Sequence, residues 1–300
     1  MKRLALSAGV LWGAVTVAFI ALHLAPGKVV DLIIGNSPGV TPAVRQQIIK
    51  DYGLDRPLLV QYVSYLEHVL RGDLGHSYRL QIPVSRAIGD ALPATLALTF
   101  TAIGLALIFA LVVAVLTAHR RPWLRGLFST AETIGVSIPT FWFGILLLTV
   151  FSFTLHLAPA AGGLVLPAIA LAVAPAGMLT QVLRDGLENA LDEPFIVTAR
   201  SRGLGDFAVR LRHGLRHALL PAITLTGWLI GLTLGSAVVV EQVFSRPGLG
   251  QLALGAVTGK DMPVVMGVVL VVALVYVIAS TVVDLLYRVV DPRLRTEAPS

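Results

Sequence analysis

Six apolar runs, each near the roughly 20 residues that a helix needs to cross about 30 Å of hydrocarbon, limit this chain more than anything else in it. They fall at 4–25, 92–118, 127–153, 164–183, 222–240 and 264–287. Hydrophobic residues make up 56% of the 300, against roughly 45–50% in soluble domains. The fold class this predicts is an all-α integral membrane protein with six transmembrane helices. Such a chain packs helix against helix within lipid and has no single water-excluded core.

Lysine and arginine orient the spans. With the N-terminus inside, 14 of the 23 basic residues lie in inner segments, and the short outer loops hold only Arg246 and Lys260. Seven more sit in the long segment 26–91, and long translocated segments are largely exempt from the charge rule. Both termini are therefore expected in the cytoplasm. Residues 1–25 are read as a cytoplasmic N-terminus and a retained first span, because a cut after Ala25 would put His23 at position −3 and Pro26 directly after the bond, both poor for signal cleavage. The net charge of +6 is divided among loops and forms no single patch, which excludes nucleic acid as a partner. The absence of cysteine excludes disulfides and thiolate metal sites.

Segment 26–91 is predicted to be a small external helical subdomain. Thr41 and Pro42 form an N-cap and N1 pair for a helix ending at Gly53, and a second helix runs from Leu58 to Arg71 and stops at Gly72. A turn-rich link, Gly72-Asp73-Leu74-Gly75-His76-Ser77, follows. Pro83 then starts a short helix leading to Leu92-Pro93 at the mouth of span two. Residues 92–300 form the core, with five spans, a cytoplasmic loop at 184–221 and a cytoplasmic C-terminal tail.

That loop holds six arginines, Arg184, Arg200, Arg202, Arg210, Arg212 and Arg216, and is patterned to fold. Glu193 and Pro194 open a helix and Gly203 stops it just after Arg202. Asp206 can cap a second helix, with Phe207, Leu211, Leu215 and Ala218 on one apolar face opposite Arg210, His213 and Arg216. Leu220-Pro221 marks the turn back into the membrane. So much ordered structure in an inner loop points to docking of another protein.

Other residues carry open alternatives. Pro139, within span three, leaves a carbonyl unpaired and should kink the helix, for packing or as a hinge in a pathway. Gly227, Gly231 and Gly235 make a small-residue stripe at four-residue spacing that admits a close helix, from this chain or a partner; Gly9 and Gly13 repeat it weakly. Glu132, two turns after Arg125, reads as half of an interfacial pair. Glu241, beside the Pro247-Gly248 turn, is either a structural cap on its helix or a polar group at the outer mouth of a pathway.

Enzyme-like patterns fail on inspection. Gly35-Asn36-Ser37-Pro38-Gly39 matches a nucleophile elbow in form, but Pro38 lacks the N–H that an oxyanion hole uses. Gly259-Lys260 lacks the rest of a phosphate-binding loop, since Leu254 and Asp261 replace its first glycine and its Ser or Thr. The seven histidines show no metal-ligand spacing, and His213 with His217 has no third ligand. No catalytic residue, metal site or cofactor is expected in this chain.

Val197-Thr198-Ala199-Arg200-Ser201-Arg202-Gly203, running to Leu220-Pro221, resembles the cytoplasmic loop of permease subunits from bacterial ABC importers. The likeness extends to His23-Leu24-Ala25-Pro26-Gly27, to Gly72 through Ser77, to Glu241 through Gly250, and to Asp284-Leu285-Leu286-Tyr287 with Asp291-Pro292-Arg293. Val197-Thr198 stand where the general pattern has Glu-Ala, and Gly203 precedes Pro221 by 18 residues, longer than the general spacing. Both features are similar to the dipeptide, oligopeptide and nickel branch.

The resemblance implies a type I ABC importer permease fold in a bacterial inner membrane. It implies a second homologous permease, two ATPase subunits that bind ATP and magnesium, and an external solute-binding protein. Residues Glu193, Pro194, Phe195, Val197, Thr198, Ala199, Arg200, Arg202, Gly203 and Leu204 would form the segment that couples to an ATPase, with Pro221 as a structural turn. The cargo would be di- or oligopeptides, with nickel, a metal chelate or glutathione as alternatives. A rival class, an ATP-independent channel or secondary transporter, would show paired intramembrane charges or an inverted repeat, and neither is legible in the sequence.

Overall fold

The computed structural model describes residues 2–24, 42–51, 55–119 and 122–290. Their regular structure is helical apart from an isolated bridge between His76 and Pro83. The helices are α1 (Lys2–Leu24), α2 (Pro42–Asp51), α3 (Leu58–Leu70), α4 (Val84–Thr117), α5 (Pro122–Ser137) and α6 (Thr140–Leu147), which runs into a π-helical segment at Leu148–Thr154. Then come α7 (Val165–Leu191), α8 (Pro194–Ser201) and α9 (Asp206–Val209), the last continuing through a π-helical segment at Arg210–Gly214 into α10 (Leu215–Val243). α11 (Leu249–Thr258) and α12 (Met262–Val290) complete the order. The cap at Thr41, the stop at Gly53, the Gly35–Gly39 pattern and the motifs at 25–27 and 291–293 lie outside the described residues.

Among the described residues five helices are long and apolar enough to cross a membrane, and the bent pair α5–α6 makes six when counted as one span. Span three is thus broken rather than kinked: its halves meet at 101°. The residue before a proline is driven out of the helical region, and Pro139 itself takes φ −60°, ψ 127°, so α5 stops and α6 starts afresh. Two other prolines behave differently from expectation. Pro93 lies inside the 34-residue α4, so no break parts the helix that begins near Pro83 from span two, and Pro221 lies inside α10 and is no turn. Neighbouring groups can re-satisfy the carbonyl that a proline frees in a membrane helix. α7 also runs on through 184–191, which the charge pattern assigns to a loop.

The chain divides into two compact units, Met1–Ala94 with Pro247–Val275 and Thr95–Arg246 with Tyr276–Ser300. The first is built on Val84, Ile88, Leu249, Ala256, Val264, Val265 and Val268. Its loop 72–83 is held by Asp261, which accepts from the Ser77 hydroxyl and from the backbone N–H of Tyr78 at 3.1 Å and of Arg79 at 3.2 Å. Gly72 and Gly75 take φ near +80° here, the left-handed region that glycine enters without a Cβ penalty.

In the second unit α7 is the enclosed element, with Leu179, Leu183 and Leu187 fully buried one turn apart. Its partners are α5, α6 and α10. At Gly186 an added Cβ would stand 3.0 Å from Ala218 Cα, so α7 and α10 meet backbone to backbone. Dispersion rather than water exclusion holds such helices in lipid, which is why small residues collect at the contact.

Candidate functional site

α8 forms as its sequence dictates. Glu193 is extended at the N-cap, φ −75°, ψ 146°, and Pro194 supplies a preset φ at the first helical position. Arg202 caps the C-terminus, and Gly203, at φ +80°, turns the chain away. Across the turn, Arg200 Nε lies 3.4 Å from Asp206 Oδ1, an exposed pair worth about 0–1 kcal/mol. Asp206 sits in the first turn of α9 while Gly205 takes the N-cap position, so the expected aspartate cap is not made.

The two faces of α8 differ from a simple docking surface. Ile196 is 0% exposed and Ala199 5%, both turned into the chain itself, whereas Val197 is 64% exposed and Phe195, Thr198, Arg200 and Arg202 also face outward. Leu204 is half-buried. The small side chain of Ala199 therefore serves internal packing, and the outward apolar group is Phe195 with Val197. The Phe195 ring lies 5.0 Å from that of His217, tilted by 37°.

The apolar face expected along 207–218 holds only in part. Phe207 and Leu211 are exposed while Val209 and Arg210 are buried, and Ala218 is buried as expected; the π-helical segment 210–214 widens the turn between them, so the inward faces before and after it do not follow one 3.6-residue period. Arg210 Nη1 donates to the Val115 carbonyl at 3.2 Å. That carbonyl belongs to the last turn of α4, where carbonyls have no intrahelical partner and a cation is favoured.

Charged side chains meet where the sequence shows no pairing. Glu132 pairs with Arg184, both side chains 3% exposed, and not at an interface with Arg125. Arg125 instead reaches Glu188 at 3.1 Å and Asp185 at 4.0 Å. His119 Nε2 lies 3.4 Å from Asp192 Oδ1. Glu132 on α5 and Arg184 on α7 thus form a charge pair between two helices that count toward spans by length and composition.

Residues 102–296 match the family described as binding-protein-dependent transport system inner membrane component. This chain belongs to that family. It is 36% identical over 312 residues to the oligopeptide transport system permease protein AppB of Bacillus subtilis, covering 98% of each chain. It is 37% identical over 285 residues to the glutathione transport system permease protein GsiC of Salmonella paratyphi A, covering 92% of each. In fold it is similar to a chain of the MetNI methionine ABC transporter in inward facing conformations, with TM-score 0.55 and 22% identity over 68% of this chain and 96% of that one. The architecture is that of a type I ABC importer permease, and the protein is a multi-pass inner membrane transport component.

In this permease the remaining sequence candidates are spread out. Glu241 is 0% exposed and accepts from Thr95 Oγ1 at 2.5 Å. Pro247 and Gly248 belong to the first unit, where they line a cavity of about 370 Å³ with Arg79, Asp90 and Gln251. Gly227 and Gly231 face α12, while Gly235 has no atom within 4 Å of an added Cβ. Among the described residues, no three His, Cys, Asp or Glu gather as a metal site. Sequence reasoning missed Arg184 as an internal partner of Glu132 and missed Asp261 as the organiser of loop 72–83. An acidic residue inside an apolar run, as Glu132 is, is the sequence signal for such a buried partner.

Proposed function

We propose that this permease forms half of the translocation pathway of an ATP-driven peptide importer and couples to an ATPase through α8. The observation that carries this reading is a short helix between two spanning helices, with Val197 64% exposed and the Phe195 ring, set against His217, turned partly outward. Exposed arginines, Arg200, Arg202, Arg212 and Arg216, surround it, which suits a partner groove with an apolar floor and an acidic rim. ATP and magnesium are bound by the partner and not by this chain.

The charge distribution supports placing α8 and both termini in the cytoplasm and segment 26–91 outside. The assembly is one of two related permeases, two ATPases and a solute-binding protein. Closure of the ATPases draws the α8 segments together and turns the pathway from one side to the other, with Pro139, Glu241 and the Pro247-Gly248 turn as gate or pathway elements. Peptides are the proposed cargo, in keeping with the name of the Bacillus subtilis relative. Glutathione is the second reading, favoured by the name of the Salmonella relative.

Detergent extraction from the native membrane, affinity capture of this chain and mass spectrometry of what accompanies it test the proposal. A second permease and an ATPase are expected with it. A chain that purifies alone and conducts solute in liposomes without ATP refutes the reading.

A further inference from the structure

The helix that delivers α8 is tied down by charge along its last turns. From 184 to 192 the chain carries four charged side chains, Arg184, Asp185, Glu188 and Asp192. Each meets a residue of the stretch 119–132: Arg184 meets Glu132, Asp185 and Glu188 meet Arg125, and Asp192 meets His119. On the far side of α8 the buried Arg210 binds the last turn of α4 through the Val115 carbonyl. Between these arms, α7 and α10 touch at Gly186 and Ala218. The base of the α8 segment is therefore fixed to α4 and α5 by cations, and its two legs are fixed to one another by contact.

These ties are unequal. The Arg125 and His119 pairs are open to solvent on at least one side, where screening and side-chain entropy leave them little strength. The Glu132–Arg184 pair is buried, with both side chains 3% exposed. Well-packed apolar residues of similar volume would hold such a site as firmly as buried ions or more so, whereas a single uncompensated charge there would not. What the ion pair adds over apolar packing is direction: it is satisfied at one rotation of α7 against α5, while smooth side chains tolerate several. Breaking it would leave the helices packed but free to turn.

We propose that Glu132 and Arg184 are positioning residues for energy coupling. They hold α7 in one register on α5, so that a push on α8 reaches α5 and is not lost as rotation of α7 alone. The proposal rests on α8 being the ATPase-docking segment.

The test uses the complete importer in liposomes, with ATP hydrolysed per radiolabelled trialanine taken up as the readout. Two substitutions together, Glu132→Leu with Arg184→Met, remove both charges and keep the volume. This double variant should assemble and melt no lower than wild type, yet consume about two- to thirtyfold more ATP per peptide, the range over which residues along a coupling route act. The exchanged pair, Glu132→Arg with Arg184→Glu, should bring the ratio back toward wild type. A wild-type ratio in the assembled apolar variant overturns the proposal, because packing alone would then suffice. Should the apolar variant not assemble, Glu132→Gln decides: a raised ratio in assembled protein, with Arg184→Lys near wild type, supports positioning, and a wild-type ratio overturns it. ATP-independent uptake by the wild-type assembly is a separate failure; it would sink the docking reading of α8 and this proposal with it.

Discussion

Replacing Gly227, Gly231 and Gly235 of α10 singly by alanine should give three different results from one stripe. At Gly231 the new Cβ would lie 2.6 Å from Tyr276 Cε2 and 2.7 Å from Cδ2, well inside the 3.5–4.0 Å of a favourable carbon contact, so the ring on α12 has to move by about 1 Å. Overpacking of this kind costs about 1–3 kcal/mol. At Gly227 the nearest atom is Val283 Cγ1 at 3.0 Å, which a small shift relieves, placing that cost near the lower end of the same range, about 1 kcal/mol. At Gly235 nothing lies within 4 Å. All three variants share the gain of about 1 kcal/mol that alanine has over glycine in a helix, and it cancels when they are compared. The gap between Gly231→Ala and Gly235→Ala is then about 1–3 kcal/mol, or several degrees at about 2–4 °C per kcal/mol. Heating purified protein in detergent and following the monodisperse fraction by size-exclusion chromatography measures it. Tyr276→Leu should restore Gly231→Ala by removing the ring. Equal loss at Gly235 and Gly231 would refute the reasoning, because the third glycine would then have to face another molecule and the seam would not belong to α12 alone.

Other outcomes follow from single contacts. Val197→Asp is expected to leave membrane levels unchanged and abolish co-purification of an ATPase, whereas Ala199→Asp buries a carboxylate inside this chain and should reduce the folded protein itself; immunoblots of membranes beside the capture experiment separate the two. Gly203→Ala meets no atom within 4 Å but must adopt φ +80°, costing about 1–2 kcal/mol, so proteolysis near residues 201–206 should rise, less so for Gly203→Asn. Asp261→Ala removes the acceptor of the buried Ser77 hydroxyl, at about 1–3 kcal/mol, and of two part-buried backbone N–H groups, and should expose the loop 72–83 to protease. Burial pushes the Tyr65 phenol up to about 12. Because the folded state keeps this proton where the unfolded chain releases it near pH 10, stability should hold below about pH 10 and fall from there toward pH 12. Tyr65→Phe should remove that fall in melting curves taken across the interval, and an unchanged curve would contradict the shift.

Helix existence was legible from the sequence because its causes are local. Span length, Pro194 at a first helical position, Gly203 and Gly72 at the ends of helices, and the α3 limits all follow from backbone chemistry within a few residues. The family was legible for a similar reason, in short motifs spread along the chain. Proline shows where local reasoning stops. Pro93, Pro139 and Pro221 look alike in sequence, yet two lie within helices and one separates α5 from α6 at 101°, since the neighbours that re-satisfy a freed carbonyl are set by packing.

Local chemistry along the chain suffices for the membrane class, for most of the helices and for the limits of α8, but not for α11 or for the run of α7 through 184–191. Which faces and charges meet came from packing: Glu132 with Arg184 across 52 residues, Ser77 with Asp261 across 184, and Arg210 and Ala199 buried within the chain. The reason is physical. A helix destined for lipid is apolar on every side, so its periodicity does not mark the inward face as it does in water, and the partner of a buried charge is fixed by which helices pack and at what rotation.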